Sequence, residues 1–156
     1  MKKKSIKKLI PKAGLALKNG FYLEASWILS AIIEVKLRKV LFLITNENQG
    51  LSVGLHRCLL RIKSLQLKGS HPLLGKNMEI RLIDDLRIWK NKRNSIYQDM
   101  TVIHVRQARI RRMVEEGIVL HQELNNAYRN FKKDWKQVLV KNNALPVKLN
   151  EQTPQN

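Results

Sequence analysis

The stretch Ile110–Val138, IRRMVEEGIVLHQELNNAYRNFKKDWKQV, decides the fold. Ile110, Val114, Gly117, His121, Leu124, Tyr128, Phe131, Trp135 and Val138 follow one another in alternating steps of four and three without a slip. That period lays them on one stripe of a helix, a seam of the kind that buries against antiparallel neighbours in a bundle. Carried from Val102 to Val140, the helix would run about 58 Å at 1.5 Å per residue. Gly117, which costs roughly 1 kcal/mol of helix propensity relative to Ala, marks a place for a kink.

Upstream, the same periodicity recurs in shorter pieces. Met78 to about Tyr97 places Leu82, Leu86, Trp89 and Ile96 on one face, and Gln98–Thr101 reads as a tight connection with Thr101 as an N-cap. Leu51–Leu67 turns Leu55, Cys58, Leu59, Ile62 and Leu65 inward. Between these two helices, Gly69, Pro72 and Gly75 predict a loop over Lys68–Asn77. Phe21–Ile44 is a long helix with Leu29, Ile33, Leu37, Val40, Leu41 and Ile44 on one stripe, and Asn46–Gly50 ends it with turn residues. Ala13–Asn19 predicts a short first helix closed by Asn19-Gly20. Nothing alternates as a strand does. The expected fold is therefore all-α: an antiparallel up-and-down bundle of four to five helices without a sheet. Residues 1–12 form a basic lead, 13–142 a single domain and 143–156 a polar tail.

Composition narrows the partners. Lys and Arg number 30 against 12 Asp and Glu, a formal net charge of +18, and self-repulsion on that scale favours an anionic partner. RNA or another polyanion comes first, anionic membrane second. The most apolar run, Ala25–Ile44, contains Glu34, Lys36, Arg38 and Lys39, which a membrane span of about 20 residues would not carry. The lysine-rich start lacks the apolar stretch of a secretory signal. One cysteine, Cys58, set among leucines, reads as a small core residue of a protein in the reducing cytoplasm.

No Cys pair, His-Glu-x-x-His or glycine-rich phosphate loop is present, and no cofactor or metal is called for. His121, on the apolar seam, reads as a hydrogen-bonded core histidine, and His104 as a surface residue. The segment Arg87–Met100, RIWKNKRNSIYQDM, is different. Steps of four, three, four and three from Leu82 through Leu86, Trp89 and Arg93 to Ile96 put Arg93 where a leucine is expected. A guanidinium stays charged and needs an acceptor. Either that acceptor belongs to another helix, chain or ligand, or Arg93 snorkels to Glu34 or Asp99. Farther on, Arg106, Arg109 and Arg112 stand three apart on one side of the last helix, a spacing able to grip successive phosphates. The bland alternative is a solvated face in which Glu115 and Glu116 pair with Arg111 and Arg112.

The run Trp89-Lys-Asn-Lys-Arg93-Asn94, followed by a turn and a long last helix, resembles the signature region of the HEPN superfamily of ribonuclease and RNA-binding domains. Ala16–Ala25 and Trp27–Leu41 resemble that family's opening helices, so the likeness runs from Ala13 to Val140. In active members an Arg, usually followed by Asn or another polar residue, and a His after four to six intervening residues face their counterparts across a dimer cleft and cut RNA without metal. The resemblance implies a homodimer with Arg93 and Asn94 as catalytic or RNA-binding residues, helped by Arg106, Arg109 and Arg112. The His is missing: Gln98, Asp99 and Met100 occupy the permitted positions. Gln98 cannot exchange protons, a phenol such as Tyr97 is a poor neutral-pH base with an ordinary pKa of about 10, and Asp99 would repel phosphate. The expectation is RNA binding with degenerate or absent ribonuclease activity. Two competitors stand beside it. One is a structural or adaptor bundle for an acidic protein partner, as in a toxin–antitoxin-like pair. The other is a nuclease rearranged around Tyr97, Asp99 or His104.

Overall fold

The computed structural model describes residues 4–46 and 54–144 and contains no strand among them. Six helices follow in order: α1 (Lys4–Lys18), α2 (Tyr22–Thr45), α3 (Leu55–Leu67), α4 (Pro72–Asn77), α5 (Ile80–Met100) and α6 (Gln107–Ala144). The all-α expectation holds, with one helix more than the sequence suggested. Residues 47–53 and 145–156 lie outside the described residues, and with them most of the expected turn at Asn46–Gly50, the expected start of the third helix and most of the tail.

Helix α2 is the hub, packing against α1, α3 and α6, while α5 packs on α3 and α6 and α4 on α6. Its central place explains its composition: Leu29, Ile32, Ile33, Leu37, Val40 and Leu41 are buried over about half of its circumference. Ala13 and Ala16 of α1 are buried too, and their small side chains let that helix lie close to α2. The α1–α2 turn uses Gly20 at φ +78°, a backbone region that side chains disfavour. At the other end of α2, Asn46 takes the left-handed conformation and its N–H donates to the Phe42 carbonyl.

Four boundaries depart from the sequence expectation. The first helix begins at Lys4, not Ala13, and carries Pro11 in its interior. The segment Lys68–Asn77, expected as a loop, contains α4: Pro72 sits in its first turn, where a missing N–H costs nothing, and buried Leu74 anchors it. Asp134 of α6 holds it from outside, pairing with Lys76 at 2.8 Å and accepting from Asn77 at 3.1 Å. Helix α5 runs on to Met100, so Thr101 is a C-cap and not an N-cap; its hydroxyl donates to the Gln98 carbonyl. Consequently α6 starts at Gln107, five residues later than expected.

The seam of α6 is buried at Ile110, Val114, Gly117, His121, Leu124 and Phe131, whereas Val138, past Trp135, is exposed. Gly117 does not break the helix. Its role is close approach: a Cβ there would stand 2.6 Å from Trp89 Cζ2. The Trp89 indole lies over that glycine and donates to the Met113 carbonyl at 2.8 Å. Farther along α5, Lys92 pairs with Glu116 and Asp99 with Arg109, so α5 and α6 run antiparallel. Cys58 is fully buried and unbridged, as its neighbours implied.

Candidate nucleic-acid interface around Arg93

Arg93 lies on the inward face of α5 between Trp89 and Tyr97, its guanidinium carbon 5.8 Å from each ring centroid. This distance suits a cation–π contact, which offsets part of the cost of withdrawing the charge from water. One terminal nitrogen donates to the Asn94 side-chain oxygen at 3.1 Å, while Nε is shut away from solvent with no hydrogen-bond partner. Burial lowers the guanidinium pKa, opposed by Tyr97 and Glu34.

The two carboxylates expected as possible partners are engaged elsewhere. Glu34 pairs with Arg38 and accepts from the Leu55 N–H, and Asp99 pairs with Arg109 at 2.8 Å. Among the described residues Arg93 therefore has no ion pair, although Glu34 is near enough to favour its charge. Helix α2 makes room for it. Ser26, Ser30 and Glu34 are spaced by four on one side of that helix, and Ser26 and Ser30 are small and buried. The Ser26 and Tyr97 hydroxyls are hydrogen-bonded, which holds the phenol against α2.

Next to Ser26, Trp27 stacks on Tyr97 with centroids 6.1 Å apart and planes 21° apart, yet remains 67% exposed. Sequence reasoning did not single out Trp27; a tryptophan out of step with the α2 stripe was the available signal. An open aromatic face beside an uncompensated guanidinium offers both a stacking platform and a phosphate donor.

The arginine row divides. Arg109 is held by Asp99 and Arg111 by Glu115, while Glu116 takes Lys92 and not Arg112. Arg106 and Arg112 are exposed, with no carboxylate partner among the described residues. Gln98 and His104 are exposed as well. No group of His, Cys, Asp and Glu able to hold a metal occurs among the described residues.

On another face of α2, His121 is buried and hydrogen-bonded, as expected, but its partner is a lysine. Lys36 Nζ lies 2.9 Å from His121 Nε2 and donates to Asn125 Oδ1 at 2.8 Å. Burial, then Arg129 and Lys39, lower the Lys36 pKa to about 8, and burial with Lys36 takes His121 down to about 4. At neutral pH the ammonium donates and the imidazole, protonated on its other nitrogen, accepts. Sequence reading missed Lys36 and Asn125. Lys36 falls between Ile32, Ile33 and Val40, and His121 with Asn125 forms an i, i+4 pair, so the signal was present.

No protein-family model, curated protein or solved structure matches the chain. Among the described residues no helix is long and apolar enough to cross a membrane.

Proposed function

We propose that this protein is a HEPN-like basic helical domain that binds RNA or another nucleic acid through Arg93, Asn94 and the exposed ring of Trp27. Its helices act as an antiparallel up-and-down bundle in a cytoplasmic homodimer. The observation that carries the reading is Arg93: a half-buried guanidinium between two aromatic rings, with one buried N–H unpaired and no carboxylate bound. Phosphate oxygens would meet its terminal nitrogens, Nε being closed to solvent, and a base would stack on Trp27. Arg106 and Arg112 add affinity without first breaking an ion pair, whereas Arg109 must release Asp99. Ribonuclease activity by the family mechanism is degenerate or absent in this reading, because Gln98 cannot carry a proton and Asp99 is paired with Arg109.

The reading is tested by incubating wild type, Arg93→Ala and Trp27→Ala with labelled single-stranded RNA in EDTA, reading mobility shift and cleavage together. The expected result is a shift without cleavage, weakened in both variants, with Trp27→Ala melting like wild type. Metal-free cleavage that Arg93→Ala abolishes would show instead that the domain is a working ribonuclease without the histidine.

A protein partner is the second reading, favoured by a cleft of about 710 Å³ between the α1–α2 turn and the α5–α6 loop. Phe21, Met100, Val102 and Ile103 line it and are exposed, and Arg106 stands nearby in the sequence. No RNA shift, together with collapse of the Arg93→Ala melt, would favour that acidic-partner reading.

A further inference from the structure

A second cleft, of about 580 Å³, opens between α1, α2 and α6. Its size falls in the range of small-molecule sites. Ile10 of α1, Leu29 and Ile32 of α2, and Ile118 of α6 form an apolar wall. His121, Asn125 and Arg129 of α6 form the polar wall, and no carboxylate lines the cleft.

Behind the polar wall is Lys36, nearly excluded from water; among the described residues its ammonium is hydrogen-bonded to the neutral groups His121 and Asn125 and to no carboxylate. By holding Asn125 Oδ1, Lys36 leaves that side chain's NH2 as the group available to a ligand. Arg129 is exposed at the rim without a carboxylate partner among the described residues. A charged group buried with neutral partners alone is under-compensated, and an anion placed before it would gain from both cations.

We propose that this cleft binds a small amphiphilic anion, an aliphatic chain bearing a carboxylate or phosphate head. The chain lies on Ile10, Leu29, Ile32 and Ile118, and the head meets Arg129 and the Asn125 amide with Lys36 charged behind them. The site is separate from Arg93: α2 turns Lys36 toward α6 and Ser26 toward α5.

The test is calorimetric titration of the full chain with decanoate, decyl phosphate and, as the uncharged control, decanol, all below micellar concentrations. One or both anions should bind with unit stoichiometry and exceed decanol by about tenfold, the worth of one charge-assisted hydrogen bond; the tighter of the two identifies the head group. Arg129→Gln, at the exposed rim, should weaken the anions by about as much, and Lys36→Met should weaken them while the protein still melts cooperatively. Lys132→Gln, elsewhere on the exposed surface of α6, should leave them unchanged. Equal binding of decanol, indifference to Arg129→Gln, or equal loss in Lys132→Gln would overturn the proposal, the last by revealing unspecific attraction to a cationic surface.

Discussion

At the scale of single residues, the Lys36–His121 contact carries a pH dependence whose sign follows from where the protons go. In the unfolded chain the imidazole takes up its proton near pH 6.5, but in the fold only near pH 4. Between these values the unfolded state binds the extra proton, so stability falls as pH drops and the loss is complete below pH 4. The gap amounts to at most about 3 kcal/mol. His71 is also lowered by burial and adds to the same window, whereas the Asp84 and Asp134 carboxyls, lowered by their lysine partners, act at more acid pH. His121→Gln keeps an acceptor for Lys36 and removes the titration. Urea midpoints at pH 7 and pH 5 should therefore converge in that variant relative to wild type. An unchanged difference would mean that His121 is not the buried neutral base described. Lys36 has the complementary window: its folded pKa of about 8 lies below its ordinary 10.5, so stability rises as pH climbs between them.

At the scale of elements, the α5–α6 contact depends on what Gly117 lacks. An alanine there gains about 1 kcal/mol of helix propensity. Its Cβ, however, would meet the Trp89 ring at 2.6 Å, and that indole is fixed by its bond to the Met113 carbonyl. Overpacking of this kind costs about 1–3 kcal/mol, so Gly117→Ala should destabilise despite its better propensity. A rise in the urea midpoint would show that Trp89 moves aside freely. The sequence announced Gly117 as a weak point of the helix, because propensity is local, but its purpose is set by a residue 28 positions earlier. Much of the fold was legible for the converse reason. Helices α2, α5 and α6 are long enough for their apolar stripes to outweigh single interruptions. Helix α4 was not legible, since six residues hold too few periods to show a stripe and its Pro72 and Gly75 read as loop signals. The start of α1 was hidden by Pro11, which disfavours a helix interior by roughly 3 kcal/mol in isolation. Here the helix extends through it, with Ala13 and Ala16 of the same helix buried near α2.

At the scale of the whole molecule, the candidate site was half visible. Arg93 stood out because an arginine interrupted an apolar stripe. Trp27 did not, because its neighbour Tyr97 lies 70 positions away and only the packing of α2 toward α5 brings the rings together. The arginine row was visible as a row, but which members are free depends on ion pairs made across helices, and among the described residues these leave Arg93, Arg106 and Arg112 without carboxylates. That count makes the electrostatic claim quantitative. Each phosphate neutralised on a single strand contributes about −0.7 to the slope of log affinity against log salt. Three arginines give a slope near −2, so raising salt from about 50 to 200 mM should weaken RNA binding by about twentyfold. The net charge of +18 would predict a much steeper fall if the whole surface took part. Arg112→Gln should then make the slope shallower by about 0.7, whereas Arg111→Gln, which removes a cation already paired with Glu115, should leave it nearly unchanged. Equal effects of the two substitutions would mean that RNA senses the overall charge and not the unpaired arginines. A flat salt response would remove the electrostatic basis for RNA binding altogether.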